Sequence, residues 1–210
     1  MHPEWLSNAY LAWDEGSREA FFVDSGAPLE PLVRVVERES LTVVRLLTTH
    51  THHDHVAGDA ELERRYGVRP ERSAPGVEAI PTPGHADDHL VFVVDGLLFS
   101  GDLLFKDAVG GGDAATVRKS VLRVMELPDE TRVLPGHTDE TTIGRERAEN
   151  PFLRYWLGTE PALDEHVRVA GEEATLLVWS PDYDGKGKAL VRLAGGEERI
   201  VGGSRVERSN

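Results

Sequence analysis

The chain has 210 residues, with 23 Lys and Arg against 37 Asp and Glu, a formal net charge of -14 and no cysteine. That length supports one domain of ordinary to large size with room for a small appendix, and a hydrophobic share of 40% places it among globular proteins. The acidic balance argues against a nucleic-acid backbone or an anionic membrane as partner. The missing thiols exclude disulfides, cysteine-bound zinc and a cysteine nucleophile.

From the N-terminus, "MHPEWLSNAYLAW" has no basic segment leading into a long apolar run, and no stretch approaches the roughly 18 apolar residues of a membrane span. A cytoplasmic protein is the expectation. Short apolar runs then alternate with helical patterns, which predicts an α/β sandwich. "AFFVDSG" (20–26) ends its apolar run at Asp24, "PLEPLVRVVERE" (28–39) reads as a helix, and "LTVVRLLTTH" (41–50) ends at His50. "GDAELERRYG" (58–67) is a second helix closing on Gly67 as C-cap, and "VEAIPTPGH" (77–85) ends at His85.

In "HLVFVVDGLLFSGD", Asp95-Gly96 is a two-residue hairpin turn and the second run ends at Asp102. "GDAATVRKSVLRVMELP" (112–128) puts Val117, Val121, Leu122 and Met125 at helical spacing, a core stripe, and "TRVLPGH" ends at His137. After "IGRERAENPFLRYWLG" (143–158) the composition shifts to β-rich runs separated by Gly-rich turns. The expected organisation is a catalytic unit over residues 1–164 and a small β-meander extension over 165–210. No cluster in that extension suggests chemistry.

Five apolar runs thus deliver a possible ligand at their ends, where loops on a rigid sheet gather functional groups. Seven of the nine histidines fall between His50 and His137, and "HTHHDH" (50–55) packs four of them with Asp54. Two positions apart in an extended segment, His50 and His52 point the same way and can grip one ion, with His85 completing the set. If the chain turns after them, Asp54 and His55 can face a second ion with His137, while Asp102 can bridge the two. Imidazole and carboxylate suit zinc, iron, manganese or cobalt. His53, His89, His2 and His166 stay outside this ligand set.

The ordered motifs "HTHHDH", "TPGH", "SGD" and "LPGH" resemble the metallo-β-lactamase superfamily, the match running from residue 20 to 137. The resemblance implies an αββα sandwich and a metal-dependent hydrolase with a metal-bound hydroxide as nucleophile, which Asp54 orients. It also implies two divalent ions, zinc first with iron or manganese as alternates, and a supporting role for Asp24 beneath the ligand loops. "LLFSGDLLFKDAVGG" and "LPGHTDETTIGRERAENPFLR" are similar to the glyoxalase II group, which implies a thioester substrate such as a hydroxyacyl-glutathione. The segment Arg64 to Val77 is shorter than in that group, and the C-terminal piece reads as β where longer members are helical. Lys106 is a candidate contact for an anionic substrate tail. A one-iron persulfide dioxygenase and a non-catalytic, metal-dependent ligand-binding module are the alternatives. The expected partner is a small (thio)ester, without nucleic acid or membrane; oligomeric state is not legible.

Overall fold

The computed structural model describes residues 4–208. β1 (Tyr10–Trp13) and β2 (Glu19–Val23) form a hairpin, and α1 (Glu30–Arg38) crosses over to β3 (Thr42–Leu47), which lies parallel to β2. The tract His53–Val56 folds as a single turn, α2, followed by α3 (Asp59–Tyr66), which stops at Gly67 in the left-handed conformation. β4 (Pro70–Glu71) pairs parallel with β3 and completes a four-stranded sheet.

β5 (Glu78–Pro81), β6 (Leu90–Val94) and β7 (Leu97–Gly101) run antiparallel in sequence, with Asp95 and Gly96 both at positive φ in the tight turn. A small hairpin, β8 (Leu104–Phe105) and β9 (Ala108–Val109), leads through β10 (Gly112–Asp113) into α4 (Ala114–Val124), whose first turn Asp113 caps by accepting from Thr116 N. β11 (Arg132–Pro135) returns parallel to β7 and β12 (Thr141–Thr142) forms the far edge of a five-stranded sheet. α5 (Ile143–Glu149) and α6 (Pro151–Trp156) are separated at Asn150, which leaves helical geometry before a proline and caps α6.

Strand periodicity explains the layers, because alternate side chains must find opposite partners. Ala20, Phe22 and Leu46 face α1 and α3 through Val33, Val36 and Leu62, while Val23 and Leu47 face the second sheet. On that sheet Phe92 and Phe99 point inward to meet them, and Val91, Leu98 and Val133 point outward onto Val117 and Val121 of α4. This is the αββα sandwich.

The rest of the chain forms a sheet of its own. β13 (Glu165–Val169), β14 (Glu172–Ser180), β15 (Lys188–Leu193) and β16 (Glu198–Gly202) meander, and a 3-10 turn at Gly203–Arg205 returns β17 (Val206–Arg208) to the open edge of β13. One face closes over Val167, Leu176, Ala189 and Val191. The other carries Leu177, Leu190 and Ile200 into the core shared with α4 and α6, and β10 pairs with β16. The β-rich segment is therefore joined to the sandwich by a common core and a common sheet edge.

Candidate metal centre

β2 and β3 are parallel, as are β7 and β11, and β5 points the same way as β7 through two antiparallel steps. The four loops that carry the candidate ligands, and the end of β2 that carries Asp24, consequently open on one edge of the sandwich. There, His50, His52 and His85 bring one nitrogen each within 4.8 Å of one another, as do the ligand atoms of Asp54, His55 and His137. His50, His55 and Asp102 form a third such group that joins the two. Asp102 is central, with Oδ1 3.2 Å from His55 Nε2 and Oδ2 3.4 Å from His85 Nε2 and 3.5 Å from His137 Nε2. Asp54 Oδ2 lies 3.4 Å from His137 Nε2 and 3.8 Å from His55 Nε2.

The far ring nitrogens are already engaged, which fixes the rings. His85 Nδ1 meets Gly111 O at 3.0 Å, His137 Nδ1 meets Leu6 O at 2.9 Å, and His55 Nδ1 meets Asp24 Oδ2 at 2.8 Å. His50 Nδ1 meets Thr49 Oγ1 at 3.1 Å. Each Nε2 is thereby left facing the cluster. Asp24, buried and at φ +56°, also accepts from Thr49 N and Thr49 Oγ1, both at 2.8 Å, so one carboxylate ties β2 to both halves of the histidine motif.

Electrostatics carry the signature of a cation site. Burial opposes a proton on His55, yet the Asp102 and Asp24 carboxylates outweigh it and push its pKa up to about 11. For His137 burial is likewise overcome by hydrogen bonds to Asp102 and Asp54, which raise it to about 9. His50 is held far below its ordinary value by burial and by the neighbouring His55 charge. Burial works against ionising Asp102, but the His55 charge and the His137 hydrogen bond hold its pKa well below the carboxylate range.

The residues fit divalent ions on a direct observation: His55 Nε2 and Asp102 Oδ1 are buried with no hydrogen-bond partner, although only 3.2 Å apart. Five imidazoles and two carboxylates in two groups are consistent with a dinuclear site. The backbone is shaped to the cluster as well. A Cβ on Gly136 would overlap Asp102 Oδ1 and lie 2.7 Å from His55 Cε1.

Other histidines sit apart. His53 is exposed and meets the Trp5 ring edge-on at 4.9 Å. His89 is buried, with Nδ1 on Thr82 Oγ1 at 2.9 Å and Nε2 accepting from Asp102 N at 3.0 Å, and burial brings its pKa down to about 3. It orients Asp102 from behind. Lys106 lies off the cluster, in the turn between β8 and β9, with Nζ 3.4 Å from Asp139.

Two sets of neighbours were not legible in the motifs. Tyr10 Oη and Asn8 Nδ2 both donate to Pro135 O, and Asn8 Nδ2 also to Thr138 O, clamping the His137 loop from the N-terminus. The C-terminal sheet, from which no chemistry was expected, sends Tyr183 onto His137, with ring centroids 4.1 Å apart and planes 8° from parallel. Burial and the nearby Asp102 and Asp182 carboxylates raise the Tyr183 pKa, so the hydroxyl stays protonated. A hydroxyl or amide near a ligand cannot be told from a surface one until the fold closes the distance.

The family described as Metallo-beta-lactamase superfamily matches the chain over residues 2–75 and 67–137. A hydroxyacylglutathione hydrolase from Chromohalobacter salexigens is 31% identical, the alignment covering 69% of this chain and 81% of the relative. The structure of ETHE1 from Myxococcus xanthus is 28% identical with a TM-score of 0.62, covering 70% of this chain and 79% of its own. That of TTHA1623 in a di-iron-bound form is 31% identical with a TM-score of 0.62, covering 73% and 98%.

Proposed function

The chain belongs to the metallo-β-lactamase superfamily, and on that premise we propose that it hydrolyses a small thioester of the hydroxyacyl-glutathione kind with two divalent metal ions. His50, His52 and His85 would hold one ion, Asp54, His55 and His137 the other, and Asp102 would bridge them. The observation that carries this reading is Asp102, within 3.5 Å of histidines from both sets and with an unsatisfied buried oxygen. Zinc is the proposed occupant; a similar protein has been solved with two irons. When bound, such ions acidify a water and polarise a carbonyl oxygen, which is the chemistry of hydrolysis without a side-chain nucleophile.

The chain's own residues supply the rest. Asp54 is the one carboxylate of the cluster that is partly exposed, so it can accept a proton from a water at the solvent side and orient it towards a substrate. Asp24 and the Leu6 carbonyl keep His55 and His137 in the tautomers that point Nε2 inward. The Tyr183 ring covers one side of His137 and excludes bulk water there. A relative from Chromohalobacter salexigens carries the hydroxyacylglutathione hydrolase name, which supports the thioester class.

A one-iron oxygenase acting on persulfides would leave the Asp54, His55 and His137 group without an ion. The completeness of that group favours hydrolysis. The test is elemental analysis of protein expressed without added metal, together with turnover of S-lactoylglutathione. About two ions per chain with thioester cleavage is the expected result. One iron per chain, no cleavage and oxygen uptake with a persulfide would move the assignment to the oxygenase, and no metal-dependent turnover of thioesters, lactones or phosphodiesters to a binding module.

A further inference from the structure

The loop between β14 and β15 is built as a fixed wall. Its stem is closed by the buried pair Lys188 Nζ to Asp182 Oδ2 at 2.9 Å, and the same ammonium lies 5.6 Å from the Tyr183 ring and 6.0 Å from the Phe105 ring. Tyr183 N donates to Asp182 Oδ1 at 2.9 Å, and Ser180 Oγ donates to Asp107 O, which ties the loop to the β8–β9 turn. The Phe105 ring also meets Tyr183 edge-on at 5.9 Å. A tyrosine stacked on His137 from such a stem has little freedom to swing away.

Two cavities meet at this ring. One, of about 220 Å³, lies between Tyr183 and Lys106, Thr138, Asp139 and Pro181. The other, of about 630 Å³, runs from His85 along the C-terminal sheet past Asp113, Asp184, Glu197, Arg199 and Arg205. The first reaches the His137 loop through Thr138, next in sequence to His137, and through Tyr183, which stacks on His137, while the second is lined by His85 of the other group. A thioester also has two arms, and its carbonyl must sit between the groups.

Resting on the thioester reading, we propose that Tyr183 divides the approach to the metal centre, sending the acyl arm into the Lys106 cavity and the thiol carrier along the C-terminal sheet. Size makes the assignment: the smaller cavity has the volume of about seven waters, enough for a short acyl group, and the larger admits a peptide-sized carrier. Charge refines it. Arg199 is paired with Glu197 at 3.0 Å, whereas Arg205 is exposed with no ion-pair partner among the described residues, so it is the guanidinium open to a carrier carboxylate. Asp113, Asp184 and Glu197 on the same walls repel a polyphosphate and accept an ammonium. The β extension therefore serves as the specificity element for the carrier.

The test crosses variants with both arms of the substrate on metal-loaded protein. With one acyl group on glutathione, coenzyme A and N-acetylcysteamine, R205Q should raise KM for the glutathione thioester roughly 5-fold with little change in kcat, and the effect should vanish for N-acetylcysteamine. With an acyl series on glutathione, Y183A should raise relative kcat/KM for long or branched acyl groups roughly 10-fold, while Y183F keeps the wild-type order. Equal effects of R205Q on all carriers, an acyl series that responds to R205Q, or Y183F behaving as Y183A would each overturn the division. If the wild type cleaves no thioester the proposed reaction falls, and the geometry is then judged by binding alone. Free glutathione should shift the Tyr183 and His137 ring resonances, with R205Q weakening the effect roughly 5-fold; no shift overturns the inference.

Discussion

Asp24→Asn tests the logic of the site without changing its shape. The residue sits at φ +56°, a conformation asparagine tolerates as well as aspartate does, so the backbone has no reason to move. In the wild type Oδ1 accepts from Thr49 N, and Oδ2 accepts from both Thr49 Oγ1 and His55 Nδ1, all at 2.8 Å. An amide cannot meet those demands. With its NH2 at the Oδ2 position it faces the His55 Nδ1 proton, and relief comes only by moving that proton to Nε2, the nitrogen aimed at the metal. With its NH2 at the Oδ1 position it faces the Thr49 backbone N–H instead.

Either orientation leaves one buried donor unpaired or one ligand in the wrong tautomer, a cost of about 1–3 kcal/mol. That corresponds to roughly 10- to 100-fold weaker binding of the ion held by Asp54, His55 and His137. Competition with a chromophoric chelator reads each ion's affinity, and circular dichroism checks that the fold is kept. Retention of both ions within twofold of wild-type affinity, with undiminished turnover, would refute the tautomer argument.

The candidate ligands themselves give sharper contrasts. Asp54→Ala and His55→Ala should abolish hydrolysis, whereas His53→Ala, removing an exposed ring outside the cluster, should cost less than about threefold in kcat/KM; equal damage from His53→Ala would mean that the ligand assignment is wrong. Gly136→Ala places a methyl group against Asp102 Oδ1 and 2.7 Å from His55 Cε1, and since both side chains are held from behind, one ion should be lost from the folded protein by elemental analysis. Acid should act through His89. Its folded pKa of about 3 lies below the ordinary 6.5, so its contribution to stability is complete above pH 6.5 and is lost as the pH falls towards 3. Between about pH 6.5 and pH 4.5 that loss amounts to about 2 kcal/mol, and urea melts of apoprotein at those two pH values should show a slope flatter by that amount in His89→Gln. An unchanged slope would remove His89 from the account.

The candidate ligand cluster is legible in the sequence for a physical reason. Histidine and aspartate in "HTHHDH" and at the ends of apolar runs have few structural uses in such density, and continuous apolar runs such as "AFFV" and "LVFVV" mark the strands whose ends carry them. What positions those ligands is less visible. His89 looks like any residue opening a strand until its Nε2 is found on Asp102 N, and Tyr10 and Asn8 look like polar edge residues until Pro135 and Thr138 arrive from 125 to 130 positions away. Tyr183 lies in a Gly- and Asp-rich turn whose composition signals only a loop.

That difference in range predicts an order of metal loss. His50 and His52 lie two residues apart at the end of β3, and His85 is steadied by Gly111 of the adjoining loop. His137, by contrast, takes its orientation from Leu6 near one end of the chain and its cover from Tyr183 near the other, both on segments outside the two central sheets. Such segments open at lower free energy than core strands. The ion held by Asp54, His55 and His137 should therefore leave first as urea is raised below the unfolding transition, read as one equivalent taken up by the chelator while far-ultraviolet circular dichroism is unchanged. Asn8→Ala, which removes two hydrogen bonds from the His137 loop, should bring that release to lower urea and leave the other ion where it was. Simultaneous loss of both ions at the global transition would show that the two halves of the centre are held equally firmly, and that the terminal clamps contribute nothing of their own.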